Sequence, residues 1–238
     1  TGAGSPTGIT VYEGDMLPGL FKNQVIHCDA GPNIVRAYPA RQSGAGYTAY
    51  IQNILHGARD TWFRPSDVCV APDGSLIISD WYDPGVGGHR MQDASRGRLF
   101  RIAKPGSKYS VPKVDVTTIE GAIDALKSPN LTTRYLGWMK LHSEGEKAEP
   151  ALKALFEKSR NPRFQARALW LLGKIKGKGE EYVQKATSSF NDNLRIVGLR
   201  LARQLKMDLI PIVRKLTGDP SAAVRRECAI ALRFIHSS

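Results

Sequence analysis

Four polar residues between positions 64 and 89 are of the types that bind and react with small molecules: Arg64, Asp67, Asp80 and His89. A histidine can act as the general base in hydride abstraction, and an arginine can bind a carboxylate. The aspartates have a structural alternative, because a buried carboxylate must find donors and can pin a loop by accepting from backbone N–H groups. His89 follows two glycines, where it can equally be an exposed loop residue.

The spaced motifs of the common reaction classes are absent from the sequence. There is no Walker loop, GxSxG or GxGxxG, and the histidines show no HxH or HExxH spacing. Cys28, Cys69 and Cys228 lie far apart, with no CxxC or CxxCH, so neither a zinc site nor a haem-attachment site is predicted. We interpret all three cysteines as small buried residues, and one disulfide plus a free thiol stays an open alternative.

A predicted β-hairpin must position Asp67 and Asp80. Its strands, SDVCVA and SLIISD, are separated by Pro72-Asp73-Gly74, which is typical of a tight turn. Three consecutive apolar residues in the second strand indicate burial on both faces. GRLFRIA follows as a more exposed outer strand. Trp81 and Tyr82, directly after the hairpin, are interpreted as packing residues rather than as a stacking platform for a ligand.

Residues 5 to 60 contain four more strand-like runs separated by turn residues: TGITVY, NQVIHCDA, NIVRAYPA and YTAYIQNIL. Four strands with short connections form one antiparallel unit of the size of a propeller blade. With the following hairpin and outer strand, the first 113 residues are predicted to form about two such units.

From residue 111 onward the hydrophobic pattern becomes helical. Thr117 and Glu120 form a possible capping box. Three later motifs open with a capping residue followed by Pro129, Pro162 or Pro220, which is typical of a helix start. Apolar residues at three-to-four spacing in the segments between them predict partner helices.

Each of the four helical motifs contains an arginine, and we call this set the arginine ladder: Arg134, Arg167, Arg195 and Arg225. The separations are 33, 28 and 30 residues, which is the short end of the HEAT period. We interpret the ladder as structural, with each arginine reaching a neighbouring loop. Asp219 is a candidate acceptor, and Leu136, Leu169, Val197 and Ala229 are expected on the buried stripe.

The segment from Phe63 to Ile102 carries a family resemblance. Phe63-Arg64-Pro65, Pro72-Asp73-Gly74, Asp80-Trp81-Tyr82 and Gly97-Arg98 occur in the order and spacing of the quinoprotein glucose dehydrogenase-like propellers, and the segment most closely resembles the secreted bacterial putative membrane-bound dehydrogenases. The resemblance implies a β + α two-domain fold: a partial β-propeller of about two blades (residues 1–113), followed by a HEAT-like α-solenoid of about four repeats (residues 114–238).

The same resemblance implies a function and a site. The chain is expected to be a non-catalytic fragment of a periplasmic or secreted oxidoreductase acting on a sugar or alcohol. The family's cofactor is held by blade-edge loops, which here carry Asp29, Asn33, Arg64, Asp67 and Asp80, with His89 as the catalytic candidate. The fragment itself is expected to hold no cofactor. Pyrroloquinoline quinone with calcium, and haem c on a further domain, belong to the full-length protein that the resemblance implies.

The charge of the chain keeps other functions open. The net charge is +12, with 12 Lys and Arg against 10 Asp and Glu up to Asp115, and 22 against 12 from Val116 onward. A basic helical half attracts polyanions, although it can also be a solvated surface. The alternatives are a binding module, in which the HEAT surface holds a protein partner or an anionic polysaccharide, and, less favoured, a nucleic-acid-binding HEAT protein. No run is long enough to span a membrane, and the missing initiator Met and leader suggest a start within a longer protein.

Overall fold

The computed structural model describes residues 4–84 and 95–233. All strands lie in the first 102 residues of the chain. Nine are present in the described part: β1 (Pro6–Val11), β2 (Val25–Asp29), β3 (Ile34–Tyr38), β4 (Ala40–Ser43), β5 (Gly46–Ala49), β6 (Gln52–His56), β7 (Pro65–Val70), β8 (Leu76–Asp80) and β9 (Arg98–Ile102).

Helices occupy the rest of the described chain. Eight α-helices follow the strands: α1 (Ile119–Lys127), α2 (Leu131–Glu144), α3 (Glu149–Lys158), α4 (Pro162–Leu172), α5 (Gly179–Thr187), α6 (Asp192–Gln204), α7 (Ile210–Leu216) and α8 (Ala222–Leu232). Short 3-10 helices lie at Gly19–Phe21 and Gly145–Ala148. No helix within residues 4–84 and 95–233 is long and apolar enough to cross a membrane.

Contacts divide the chain into two compact units, which we call the sheet unit and the helical unit. The sheet unit comprises Thr1–Arg41, Thr48–Lys113 and Ser128–Leu131, and the helical unit comprises Gln42–Tyr47, Val114–Lys127 and Thr132–Ser238.

The sheet unit is built on two antiparallel sheets, with strand orders β1-β2-β3-β6 and β7-β8-β9. Alternating residues of the two sheets, among them Ile26, Val35, Val68 and Ile78, form one shared apolar core. Tyr12 lies in this core and its hydroxyl donates to the Gly74 carbonyl at 2.8 Å, so a single side chain joins the end of β1 to the β7–β8 turn.

The β7–β8 hairpin confirms the prediction made from Pro72-Asp73-Gly74. Gly74 has a φ of +85°, a conformation that glycine adopts without a steric penalty. The Asp73 carboxylate accepts from the Ser75 amide at 2.9 Å and is fixed on its other side by Arg101 at 2.8 Å. The position of this hairpin therefore follows from the residues of its own turn.

The predicted fold class is wrong. The described residues contain three small antiparallel sheets of four, two and three strands together with eight helices, and neither a closed propeller nor a solenoid is recognisable among them. One physical reason lies in the segment between β3 and β6. Ala40–Ser43 and Gly46–Ala49 are exposed at every position and offer no apolar face to the core, so they pair with each other around Gly44 (φ +56°) as a separate ribbon. Among the described residues, the hairpin β7–β8 pairs with one further strand, β9.

The helical unit has its own apolar core, formed by one face of each helix. Its helices are unequal, from seven residues in α7 to fourteen in α2, so the four motifs do not mark equal repeats. At Gly137 the α2 backbone approaches α1 so closely that an added Cβ would lie 2.6 Å from the Ala122 carbonyl oxygen. A side chain at this position would push the two helices apart.

The predicted helix starts are only partly correct. Asn161 caps α4 by accepting from the Arg163 amide at 3.0 Å, and Pro162 is the first helical residue, as predicted. The helices after Pro129 and Pro220 instead begin two residues later. At α1 the capping hydroxyl belongs to Thr118, which accepts from the Gly121 amide at 3.1 Å, and not to Thr117. Helix boundaries thus differ by one or two residues from the sequence prediction.

Candidate functional site

One end of the sheet unit collects most of the polar candidates, and we call it the loop-end surface. It is formed by the β2–β3 turn, the β6–β7 connection, residues 81–84 after β8 and residues 95–97 before β9. Asn33, in the left-handed conformation at φ 59°, donates its side-chain amide to the carbonyls of Thr61 and Phe63. Both sheets therefore contribute to one surface whose loops are tied together.

Asp80 is buried at this surface, and its two oxygens are used to hold it together. One oxygen accepts from the amides of Arg64 at 2.7 Å and Tyr82 at 2.9 Å. The other accepts from the Arg98 guanidinium at 2.7 Å, and Arg98 also binds Asp60 at 2.7 Å. Burial lowers the pKa of Arg98, but its hydrogen bonds to Asp60 and Asp80 outweigh burial and hold that pKa above its usual value. Asp80 thus has the geometry of a structural carboxylate.

The other predicted cofactor ligands are not brought together with Asp80. The guanidinium of Arg64 donates to the backbone carbonyls of Ala30 at 3.4 Å and Pro84 at 3.2 Å. Asp67 is the third residue of β7, and its carboxylate accepts from the Val68 amide at 2.8 Å. The side chains of Arg64, Asp67 and Asp80 therefore each bind partners other than one another's side chains.

Of the remaining candidates, Asp29 has a described position and His89 does not. Asp29 is buried at the end of β2, where it accepts from the Ser5 amide at 2.9 Å and pairs with Arg36 at 3.6 Å. The catalytic candidate His89 lies outside the described residues. Within the described ranges, no group of three His, Cys, Asp or Glu residues is placed to hold a metal ion.

Aromatic rings and arginines, rather than carboxylates, dominate the exposed part of the loop-end surface. Trp62 and Tyr82 pack at 5.6 Å between ring centroids. Arg98 lies over the Tyr82 ring at 4.1 Å and Arg96 lies over the Trp62 ring at 6.0 Å. Trp81 is 56% exposed, so its interpretation as a packing residue is wrong. The surface thus offers an exposed indole and an exposed cation beside a fixed aromatic pair.

Sequence reasoning missed Trp62, Arg96, Arg98 and Asp60. Arg98 was interpreted only as part of an exposed strand, and its partners Asp80 and Asp60 are 18 and 38 residues away. The available signal was compositional, since tryptophan and arginine recur on both sides of the β7–β8 hairpin. This composition predicts a surface rich in tryptophan and arginine, but it does not predict which residues contact each other.

Arginines of the ladder bind backbone carbonyls and the carboxylate of Asp219. Arg195 of α6 binds Asp219 through two N–H groups at 2.7 and 2.8 Å, and this hydrogen bonding, ahead of a smaller opposing effect of burial, holds the pKa of Asp219 below its usual value. Arg225 donates to the carbonyl of the same Asp219 at 2.6 Å. Arg167 donates to the Leu126 carbonyl at 3.1 Å, and Arg134 is partly buried on α2.

The apolar residues expected beside the ladder divide into two groups. Leu169 is fully buried and Val197 packs against the core, as predicted. Leu136 is 49% exposed and Ala229 is also exposed, so their assignment to the buried stripe is wrong.

The sequence matches a known family model over part of its length. A family model described as a domain of unknown function (DUF7133) matches residues 1–104, a segment that contains all nine described strands and none of the α-helices. No curated protein matches the chain. The description of the family carries no activity, so any function rests on the residues themselves.

Proposed function

We propose that this chain is a non-catalytic, polysaccharide-binding part of a secreted or periplasmic oxidoreductase that acts on carbohydrate. The ligand is an anionic polysaccharide, with uronic or sulfated sugars, and it binds at the loop-end surface. The membership in an oxidoreductase comes from the resemblance of the segment Phe63–Ile102. The binding role comes from the loop-end surface itself.

The observation that carries the binding role is the combination of exposed Trp81 with exposed Arg96. An exposed indole offers a flat apolar face to a sugar ring, and aromatic residues with a few polar groups are typical of ligand sites. Arg96 makes no ion pair within the described residues, so it can take a carboxylate or sulfate in a charge-assisted hydrogen bond. Of the nearby acids, Asp60 and Asp80 are both bound by Arg98 and repel an anion less than free carboxylates would, and Asp83 is buried.

The non-catalytic part of the proposal is supported by the same contacts. Asp80 accepts hydrogen bonds on both oxygens, and the Asp67 carboxylate accepts from the Val68 amide within β7, so neither is placed as a free base beside the exposed aromatic residues. A general base must lie within hydrogen-bond reach of the proton that it removes. The oxidation step is therefore assigned to residues or domains other than these carboxylates.

The test is affinity electrophoresis of the whole chain through gels containing polygalacturonate, heparin or neutral dextran. Retardation by both polyanions and not by dextran is expected. Trp81→Ala and Arg96→Ala should each weaken binding roughly tenfold, because truncating one well-placed contact residue typically costs more than 1 kcal/mol. Matched controls are Phe190→Ala, an exposed aromatic residue of the helical unit, and Arg41→Ala, an exposed arginine.

Salt separates the two contributions. The Arg96 contribution should shrink as ionic strength rises, since exposed charge interactions are screened, whereas the Trp81 contribution should persist. Unchanged binding in both variants, or equal losses in the Phe190 and Arg41 controls, would place the polyanion on another surface and overturn the proposed site.

A further inference from the structure

The solvent face of α2 carries an unusual set of side chains for an exposed helix. Tyr135, Leu136 and Met139 are 58%, 49% and 45% exposed, and His142 is exposed beside them. These residues, with the partly buried Trp138, form what we call the α2 face. It has no acidic residue, although 24% of the chain is charged. Single exposed apolar residues are normal, but a contiguous group on one helix marks an interaction surface.

The spacing of the α2 face matches the seam of a helix pair. Tyr135, Trp138 and His142 are separated by three and four residues, which is the alternation of the a and d positions of a coiled coil. The opposite side of α2 is already used, since Gly137 and Leu141 are buried in the core of the helical unit. The α2 face is therefore a second helix-packing stripe, which adjoins the occupied one at Trp138, a residue that also packs against the core.

Ring stacking on the α2 face argues against a flat ligand. Tyr135 and Trp138 are stacked with an interplanar angle of 7°, and Trp138 and His142 with an angle of 28°. Sugars and nucleobases bind aromatic residues through free ring faces. On the α2 face, the ring faces that Tyr135, Trp138 and His142 turn toward one another are already covered. The three side chains form a ridge along the helix, and such ridges pack between the side chains of another helix.

The charge near the α2 face indicates what kind of helix can bind there. Lys174 lies 5.1 Å from the centre of the Trp138 ring, and the chain from Val116 onward carries 22 Lys and Arg against 12 Asp and Glu. Two copies packed through this face would bring two Lys174 side chains and two helical halves, each with ten more basic than acidic residues, close together, and like charges across an interface are unfavourable. We infer that the α2 face is the docking site for an amphipathic α-helix of a different protein, one with an apolar stripe and acidic flanks.

The test uses the whole chain and a labelled synthetic peptide of 18 residues, a length of about five helical turns. Its a and d positions are Leu and its flanking positions are Glu. Fluorescence anisotropy should show binding to this peptide and not to a scrambled peptide of the same composition. A version with Lys flanks should bind at least about tenfold more weakly, because it faces a basic surface.

Variants locate the site. Tyr135→Ser combined with Met139→Ser should weaken peptide binding by about tenfold or more, since both residues would lie at the centre of the contact. The matched control is Phe190→Ser, which removes a fully exposed apolar residue from the same unit and should leave binding unchanged. Lys174→Glu should reduce the preference for the Glu-flanked peptide over the Lys-flanked one. Circular dichroism of each variant checks that the helices remain folded.

Three results would overturn the inference. The first is equal binding of the designed and scrambled peptides. The second is concentration-dependent dimerisation in sedimentation velocity that the double variant abolishes, which would make a second copy the occupant. The third is co-sedimentation with phosphatidylglycerol vesicles that the same double variant abolishes, which would make the α2 face a membrane-contacting surface.

Discussion

Arg195→Ala is the substitution for which the helical unit gives the clearest energetic expectation. The guanidinium makes two hydrogen bonds to Asp219, and the two side chains are only 12% and 6% exposed. It also donates to the carbonyls of Ser189 at 2.8 Å and Phe190 at 3.0 Å. Truncation leaves the buried Asp219 carboxylate with the Ser221 amide as its remaining donor within the described part of the chain. Breaking a buried ion pair on one side costs about 3–5 kcal/mol.

This cost is large enough to measure by thermal unfolding. For a chain of this length it corresponds to a fall in melting temperature of about 6–20 °C. Circular dichroism at 222 nm is the suitable signal, because helices dominate it. Lys185→Ala is the control: it breaks an exposed ion pair with Glu181 on α5 and should shift the melting temperature by no more than about 2 °C.

The effect should depend on pH in a direction fixed by Asp219. Its pKa in the folded protein is below the usual 3.8, because of the hydrogen bond from Arg195. A carboxylate with a lowered pKa contributes stability above its ordinary pKa and loses that contribution as the pH falls through its folded value. The gap between parent and Arg195→Ala should therefore be constant from about pH 5 to 8 and narrow below about pH 4. A gap no larger than that of the Lys185 control at pH 7 would refute this reasoning.

Four shorter predictions accompany it. Gly137→Ala should cost about 1–3 kcal/mol because its Cβ meets α1, whereas Gly218→Ala, where nothing lies within 4 Å, should change the free energy of unfolding by less than about 0.5 kcal/mol. Arg167→Ala should cost about 1–3 kcal/mol in urea titration by leaving a carbonyl without its donor, and exposed Lys176→Ala less than about 0.5 kcal/mol. Cys69 is exposed, so the interpretation of all three cysteines as buried is wrong for this residue; Ellman's reagent should label this one thiol per native chain and three after unfolding, since all three cysteines are free. Incubation with pyrroloquinoline quinone and calcium, followed by gel filtration, should leave no quinone absorbance with the protein, and stoichiometric retention would contradict the non-catalytic assignment.

Features that depend on neighbouring residues in the chain, such as turns and helix starts, could be predicted from the sequence. The turn at Pro72-Asp73-Gly74 and the helix start at Pro162 depend on dihedral preferences and caps of adjacent residues, and both are as predicted. The number of strands in each sheet depends instead on pairing between distant segments. The four strand-like runs of residues 5 to 60 do pair as one four-stranded antiparallel sheet, as predicted, but the inference from such sheets to a propeller was wrong.

The ladder and the loop-end surface show the same limit at the level of single contacts. Asp219 was recognised as an acceptor, and it accepts from two ladder arginines: its carboxylate binds Arg195, 24 residues earlier, and its backbone carbonyl binds Arg225. Asp80 was recognised as polar and buried, but its partner Arg98 was not. Residue type predicted that a partner must exist, and only the packed structure identified the partner.

The hydroxyl of Tyr12 has a consequence for the order in which the sheet unit assembles. It accepts from the amides of Met16 and Leu17 at 2.8 and 2.9 Å and donates to the Gly74 carbonyl, 62 residues away in the chain. Contacts of such long sequence separation carry a large loop-closure entropy and form late on the folding pathway. The Gly74 bond should therefore be absent from the folding transition state. Tyr12→Phe would then accelerate unfolding while leaving the refolding rate nearly unchanged, so this hydroxyl acts on the lifetime of the folded chain rather than on the speed of reaching it.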